Sequence, residues 1–294
     1  MPSLEKGCRG WNNKIFKMAS DFRLRLKFWG VRGSTPTPQI DNLGFGGNTS
    51  CLEVRLPNDE LLIFDGGTGL RNLGLSLLKE PVRGQFRARL FLTHFHWDHI
   101  QGIPFFVPIY NPESHLTFHS FHSATGLEQM LKGQMAHPYF PVPFDVLPGQ
   151  TSFREVARDP IQYQDVTIQP FRMNHPQGAV GYRIERAGAV IVYASDLEHG
   201  HETLDKVVRE YAQDADILIF DAQYTPEEYP KHIGWGHSTW EEATKVALET
   251  GVKQLILFHH DPGHNDEALK AIVDDAREKF EKTDAACEGA VYDL

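Results

Sequence analysis

Residues 93–99 read THFHWDH and place three histidines and an aspartate directly after an apolar run, Ala88 to Thr93. The apolar run predicts a buried strand, and α/β proteins gather their chemistry where strands end. So dense a group of imidazoles and carboxylate is not typical of solvated loop residues. It predicts a fold that brings ligand-type side chains together at the edge of a sheet.

The spacing within this stretch indicates metal binding. His94 and His96 are two residues apart, so both can point the same way from an extended segment and bind one ion. Asp98 and His99 follow where the chain must turn, and they can face a second ion beside the first. Imidazole combined with carboxylate suits zinc or a similar divalent metal. Four ligands do not fill two coordination shells, so further ligands must come from elsewhere in the chain.

The same pattern, an apolar strand that ends in a ligand-type residue, recurs four times later in the chain. These strands are TIQPFRMNH, AVIVYASD, DILIFD and KQLILFHHD, which end at His175, Asp196, Asp221 and the pair His259 and His260. Together with the first cluster they complete a two-metal site with room for a bridging hydroxide. In that site one metal is bound by His94, His96 and His175, the other by Asp98, His99 and His259, and Asp196 bridges the two.

The whole chain has the composition of a globular protein, with 294 residues, 41% hydrophobic and 23% charged. A net charge of −10 disfavours a broad nucleic-acid footprint, because neutralising phosphates needs clustered lysine and arginine. No stretch reaches the length of a membrane span, and no signal peptide is visible. We therefore expect a cytoplasmic protein without a membrane partner, a flexible extension over 1–20 and one domain over 21–294.

The order of the predicted elements indicates the architecture. Strands dominate the first part of the chain, and helix–strand pairs follow in the last third. The predicted strands cover 23–29, 51–56, 61–65, 88–93, 115–120, 152–157, 166–173, 179–186, 189–195, 216–221 and 253–259, and the helices 69–80, 125–134, 238–250, 265–281 and one that starts near 202. This order predicts an α/β fold with two sheets and helices outside them, a four-layer αββα sandwich.

At this point the sequence resembles the metallo-β-lactamase superfamily and, within it, the ribonuclease Z-like phosphodiesterase branch. The resemblance runs from about residue 24 to the C-terminus, through GVRGSTPTP, IFDGGTGLRNLG, THFHWDHIQGIPFF, NHPQGAVGYRIE, YASD, GHSTWEEA and LFHHDP. The His-x-His-x-Asp-His element is specific for the superfamily, and GHST is specific for the branch. The resemblance implies the αββα fold and a dimetal site with the ligands given above.

The resemblance also bears on residues that the pattern alone leaves open. It favours His259 as the ligand, because the family's Leu-Thr-His strand end aligns with LFH, and it leaves His260 as the alternative. It implies that Asp65 steadies a ligating histidine. It places His237 at the substrate phosphate, paired with the acid that ends the preceding strand, here Asp221. That acid is usually glutamate in ribonuclease Z, so the shorter aspartate makes this pairing an expectation to test.

We therefore expect a metal-dependent phosphodiesterase with Asp98, His237 and Asp221 as catalytic residues and with two divalent ions, zinc first and manganese as the alternative. Ribonuclease Z carries a long arm for tRNA between its third metal histidine and its bridging aspartate. Here the corresponding residues, His175 and Asp196, are only 21 positions apart, which leaves no room for an arm. The chain is similar to bacterial cyclic-nucleotide phosphodiesterases and to anti-Pycsar proteins, so a cyclic nucleotide is the first substrate candidate.

Three alternatives stay open from the sequence. One is an RNA 3′-processing endonuclease of the ribonuclease Z type, and another is a thioester hydrolase of the glyoxalase II type, which would have no use for GHST. The third concerns assembly, since a homodimer is compatible with the sequence. The aromatic side chains of 101–150 are expected either to stack on a base at the mouth of the site or to pack in the core.

Overall fold

The computed structural model describes residues 22–80, 86–156 and 159–294. Within these residues the strands form two seven-stranded sheets. In spatial order, the first sheet contains β14 (Val291–Asp293), β1 (Arg25–Gly30), β2 (Cys51–Arg55), β3 (Leu61–Phe64), β4 (Arg87–Phe91), β5 (His115–Ser120) and β6 (Gln150–Glu155). The second contains β13 (Thr283–Ala285), β12 (Leu255–Phe258), β11 (Ile217–Asp221), β10 (Ala189–Ala194), β9 (Ala179–Arg186), β8 (Val166–Met173) and β7 (Ile161–Tyr163).

Strand direction explains where the chemistry collects. In the first sheet β3 to β6 run parallel, and in the second β10 to β13 run parallel, while the remaining neighbours are antiparallel. Parallel strands end at the same edge of their sheet, so the residues that follow them are brought side by side. Most of the ligand-type residues predicted from the sequence follow these strands.

The two sheets pack face to face through apolar and aromatic side chains. Rings meet across the interface, with centroids 5.4 Å apart for Phe64 and Tyr182 and 6.0 Å apart for Phe28 and Phe258. Helices α1 (Gly69–Leu77) and α3 (Ala124–Gln134) cover the first sheet, and α4 (Glu202–Ala212), α5 (Trp240–Thr250) and α6 (Asp266–Lys279) cover the second. The short helix α2 (Trp97–Ile100) lies between β4 and β5 in the chain. The predicted four-layer αββα sandwich is confirmed.

Most predicted elements are present within a few residues of their predicted bounds. The short strands β7, β13 and β14 were not predicted from the sequence. The extension over 1–20 lies outside the described residues, so the domain boundary at 21 stays a prediction. No helix in the described ranges is both long and apolar enough to cross a membrane.

Candidate metal centre

Three of the site's side chains belong to residues with a left-handed backbone. Asp65, Asp196 and His259 follow β3, β10 and β12, and their φ angles are 60°, 61° and 61°. Residues other than glycine rarely adopt this conformation, because it costs free energy that the surrounding fold must offset. Such backbone angles are typical of functional sites, and here each turns the chain sharply as it leaves a buried strand.

The first group of candidate ligands is His94, His96 and His175, with ligand atoms within 4.8 Å of one another. Nε2 of His94 and both ring nitrogens of His175 are buried and have no hydrogen-bond partner among the described residues. A buried polar atom without a partner costs about 1–3 kcal/mol, which a coordinated cation would offset. Burial lowers the pKa of His175 to about 4 and that of His94 well below its ordinary value. Both imidazoles are therefore neutral, which is the form that binds metal.

The second group is Asp98, His99, Asp196 and His259, also within 4.8 Å and all buried. Nε2 of His259 lies 3.1 Å from Oδ2 of Asp98 and 3.3 Å from Oδ1 of Asp196. Nε2 of His99 lies 3.1 Å from Oδ2 of Asp196. Asp196 also lies 3.7 Å from Nε2 of His94, so it stands between the two groups, where a bridging ligand is expected.

The second group strongly favours positive charge. Burial lowers the pKa of a histidine, but here Asp196 and neighbouring carboxylates outweigh it. They raise the pKa of His259 to about 9 and that of His99 well above its ordinary value. Burial would raise the pKa of Asp98, yet the His99 imidazole and the hydrogen bond from His259 hold it well below its usual range. A divalent cation can take the place of these protons, so the donor set fits divalent metal ions.

Further side chains fix the orientation of the candidate ligands. Four of the candidate ligand histidines each have a ring nitrogen in contact with an oxygen of a neighbouring side chain: the three histidines of residues 93–99 and His259. Such a contact sets the tautomer and the orientation of the ring. The contacts are His99 Nδ1 to Asp65 at 2.8 Å, His94 Nδ1 to Thr93 at 3.0 Å, His259 Nδ1 to Gln223 at 2.9 Å, and His96 Nε2 to Gln177. Asp65 was expected in this role. The other three were missed, because a threonine or glutamine carries no sequence signal of its own.

The loop before β2 also reaches the site and was not assigned from the sequence. The backbone N–H of Ser34 donates to Oδ2 of Asp98 at 2.8 Å. Gly33 lies so close that a Cβ there would stand 2.5 Å from Nδ1 of His259. The motif GVRGSTPTP was part of the family resemblance. Its second glycine, Gly33, is required because the backbone approaches the candidate ligand His259 so closely.

His237 and Asp221 form the expected pair despite the shorter carboxylate. Oδ2 of Asp221 accepts a hydrogen bond from Nδ1 of His237 at 2.9 Å and another from the backbone N–H of Asp196 at 3.0 Å. Its Oδ1 accepts from the backbone N–H of Ser238 at 3.1 Å. Helix α5 begins beyond this pair, with Thr239 as the N-cap that accepts from the backbone of the first turn. Asp221 therefore links His237 to Asp196, the residue between the two groups of candidate ligands.

An open cleft of about 240 Å³ lies over the candidate metal ligands. It is lined by Ser34, His96, Trp97, Asp98, Asp196 and His237. Trp97 is the aromatic side chain in this lining and is 63% exposed. The lining contains no residue of 101–150; Phe106 and Phe144 of that segment are buried in the core instead.

Comparison with known proteins agrees with this geometry. The chain matches the β-lactamase superfamily domain over residues 62–260. Ribonuclease Z from Bacillus mycoides (strain KBAB4) is 23% identical, over 83% of this chain and 92% of the relative. Two solved structures share the fold: the metallo-β-lactamase fold protein YhfI from Bacillus subtilis and a diphosphatase from the PhnP family. Their TM-scores are 0.70 and 0.68, their identities 19% and 17%, and the matches cover 93% and 92% of this chain and 100% and 98% of theirs.

Proposed function

The chain belongs to the β-lactamase superfamily, and on that premise we propose that it is a dimetal phosphodiesterase that hydrolyses a small phosphodiester, with a cyclic nucleotide as the first candidate. The observation that carries the proposal is His237, which is held by Asp221 and lines the same cleft as Asp98 and Asp196. The candidate metal ligands alone would suit several kinds of hydrolase. A histidine fixed beside them suits a substrate that develops charge on phosphate oxygens or on a leaving group.

The proposed metal ligands are the two groups of side chains described above. His94, His96 and His175 would bind one ion, Asp98, His99 and His259 the other, and Asp196 both. When bound, two divalent ions supply a hydroxide at neutral pH and offset the charge of the phosphate. Zinc is our first choice and manganese the second, because imidazole and carboxylate ligands accept either.

His237 acts on the substrate, and Asp98 acts on the attacking group. Because Asp221 accepts from Nδ1 of His237, the other ring nitrogen, Nε2, is available to the substrate. From there His237 stabilises the charge that develops on the phosphate or protonates the departing sugar oxygen. Asp98, held by the backbone of Ser34, orients the attacking group.

Three observations support a small substrate. The 21 positions from His175 to Asp196 are used by β9 and β10 and the two-residue turn between them, with no inserted arm. The cleft, about 240 Å³, is smaller than the roughly 300–1,000 Å³ that is usual for ligand sites. The net charge of −10 offers little attraction for a long phosphate backbone.

The second candidate is an RNA endonuclease of the ribonuclease Z type. The observation that favours it is the ribonuclease Z relative, which aligns over 92% of its own length. A thioester hydrolase of the glyoxalase II type is the third, and it would make no use of His237.

A substrate panel tests the proposal and ranks these candidates. The metal-loaded protein would be given 3′,5′-cyclic nucleotides, 2′,3′-cyclic nucleotides, pre-tRNA and S-lactoylglutathione. We expect turnover of cyclic nucleotides and slow or no cleavage of pre-tRNA. Rapid cleavage of pre-tRNA alone would reverse the ranking, and hydrolysis of the thioester alone would exclude a phosphodiesterase.

The variant His237→Ala tests the assigned role directly. With diphenyl phosphate, whose leaving group is poor, we expect kcat and kcat/KM to fall together by about 10²-fold, with the metal content unchanged. With bis-p-nitrophenyl phosphate the loss should be smaller, because that leaving group needs little protonation. Asp221→Asn should follow the same trend more weakly. An unchanged kcat for His237→Ala with both substrates would contradict the proposal.

A further inference from the structure

Glu198 makes contacts that the proposed mechanism does not use. It follows Asp196 by two residues, is 8% exposed, and forms no ion pair with a lysine or arginine among the described residues. Its carboxylate accepts hydrogen bonds from the backbone N–H of Gly234, at 2.8 and 2.9 Å, and from that of Gly236, at 2.9 Å. Burying a carboxylate without a cation is costly, and these charge-assisted hydrogen bonds to backbone, together with a contact to the Tyr229 side chain, offset the cost.

The turn that Glu198 holds ends directly before His237. Gly234 and Gly236 have φ angles of 89° and 91°, which glycine adopts at no steric cost. A Cβ at Gly236 would lie 2.4 Å from Cδ2 of His175, so the turn passes against a candidate ligand with no side chain between them. Glycines lose more conformational freedom on ordering than other residues, so a turn built on two of them depends on contacts from outside.

The segment that supplies these contacts is itself anchored. The backbone N–H of Glu198 donates to the carbonyl of Asn174 at 2.8 Å, and Nδ2 of Asn174 donates to the carbonyl of Glu198 at 2.9 Å. The next residue, His199, contacts Oγ of Ser238 through Nδ1 at 2.8 Å. The few residues after β10 therefore include the candidate bridging ligand, Asp196, and also contact the residues on both sides of His237, namely Gly236 and Ser238.

We propose that Glu198 is a positioning residue for His237. By fixing the turn at Gly234 and Gly236, its carboxylate sets where the imidazole stands relative to Asp196, whose Oδ1 is 4.0 Å from Nδ1 of His237. This inference rests on the function proposed for His237. It assigns Glu198 no contact with metal or substrate.

A double-mutant cycle tests the proposal, with diphenyl phosphate and bis-p-nitrophenyl phosphate as substrates. Glu198→Ala should lower kcat for diphenyl phosphate by about 10–10²-fold, since a displacement of about 1 Å at a catalytic group costs this much. The loss should be smaller for bis-p-nitrophenyl phosphate, and the metal content should stay unchanged. Glu198→Gln keeps one accepting oxygen and should lose less. In the His237→Ala background, Glu198→Ala should change kcat by no more than about 2-fold, because the two residues act as a unit.

The matched control is Glu227→Gln, which alters an exposed glutamate between β11 and α5, in the segment that also contains Gly234 and Gly236, and should leave both rates unchanged. If Glu198→Ala keeps the wild-type kcat while His237→Ala loses it, the inference is wrong and the proposed function stands. If His237→Ala keeps the wild-type kcat, the proposed function itself fails. Losses that multiply in the double variant, or loss of metal from Glu198→Gln, also overturn the inference. If Glu198→Ala does not fold, the cycle with Glu198→Gln gives the same decision.

Discussion

Two adjacent histidines show how one backbone torsion decides which side chain can reach a metal. His259 has a φ of 61°, and its imidazole points into the group formed with Asp98 and Asp196. His260 points away, and its Nε2 donates to the carbonyl of Ala286 at 2.9 Å. Burial, followed by the charge of Arg32, lowers the pKa of His260 to about 3. The two side chains are chemically identical, but that of His259 faces the other candidate ligands and that of His260 faces Ala286, which supports the assignment of His259 as the ligand.

At the residue scale we predict different losses for the two histidines. His259→Ala should lose one of two bound ions and nearly all hydrolysis of bis-p-nitrophenyl phosphate. His260→Ala should keep both ions but unfold more easily, because the buried Ala286 carbonyl loses its donor, at a cost of about 1–3 kcal/mol. Elemental analysis and thermal unfolding of the two variants check this. Metal loss from His260→Ala with full occupancy in His259→Ala would reverse the assignment.

At the element scale, the hairpin of β9 and β10 connects the two groups of candidate ligands, because His175 precedes β9 and Asp196 follows β10. Arg186 pairs with Ala189, so Ala187 and Gly188 alone form the turn, with φ angles of 49° and 78°. Two left-handed residues are typical of the tight turns that suit the twist of paired strands, and asparagine followed by glycine is favoured there. Ala187 is therefore a locally unfavourable residue in a favourable turn.

This strain predicts opposite effects at neighbouring positions. Ala187→Asn should raise the free energy of unfolding by about 0.5–1 kcal/mol, since asparagine tolerates the left-handed conformation better than alanine. Gly188→Ala should lower it by a similar amount, although no neighbouring atom lies within 3.4 Å of the added Cβ. Thermal unfolding of the two variants measures the change, and substrate turnover should stay at the wild-type rate in both. Equal shifts in the same direction would contradict the strain argument.

The elements also show what the sequence could not predict. Long strands with buried faces were predicted because their apolar runs are continuous, as in β10 and β11. The strands β13 and β14 have three residues each, too few for a pattern, and β14 exists because it pairs with β1 more than 260 positions away. The contacts of Ser34, Gln223 and Glu198 could not be predicted for the same reason. Their partners, Asp98, His259 and Gly234, lie far along the chain, and the neighbouring sequence does not indicate these contacts.

At the scale of the whole molecule, the candidate metal centre joins the two sheets. His94, His96, Asp98 and His99 follow a strand of the first sheet, whereas His175, Asp196 and His259 follow strands of the second. Each proposed ion takes ligands from both. Metal binding would therefore cross-link the two halves of the sandwich, and its free energy would add to that of folding.

This cross-link predicts how stability depends on pH with and without metal. In the metal-free chain, neighbouring carboxylates raise the pKa of His259 to about 9, from an ordinary value near 6.5. A raised pKa means that the proton stabilises the folded state at low pH, and that this contribution is lost as the pH rises from about 6.5 through 9. A metal ion needs the unprotonated imidazole, so its affinity increases over the same range.

The gap in Tm between the metal-loaded and the chelator-treated protein should therefore widen from pH 6.5 to 9. Groups that titrate identically in both forms cancel in this difference, and His259→Asn, which removes the titrating group, should flatten the pH dependence of the metal-free Tm. A gap that narrows with rising pH would show that protons and metal do not compete for these side chains.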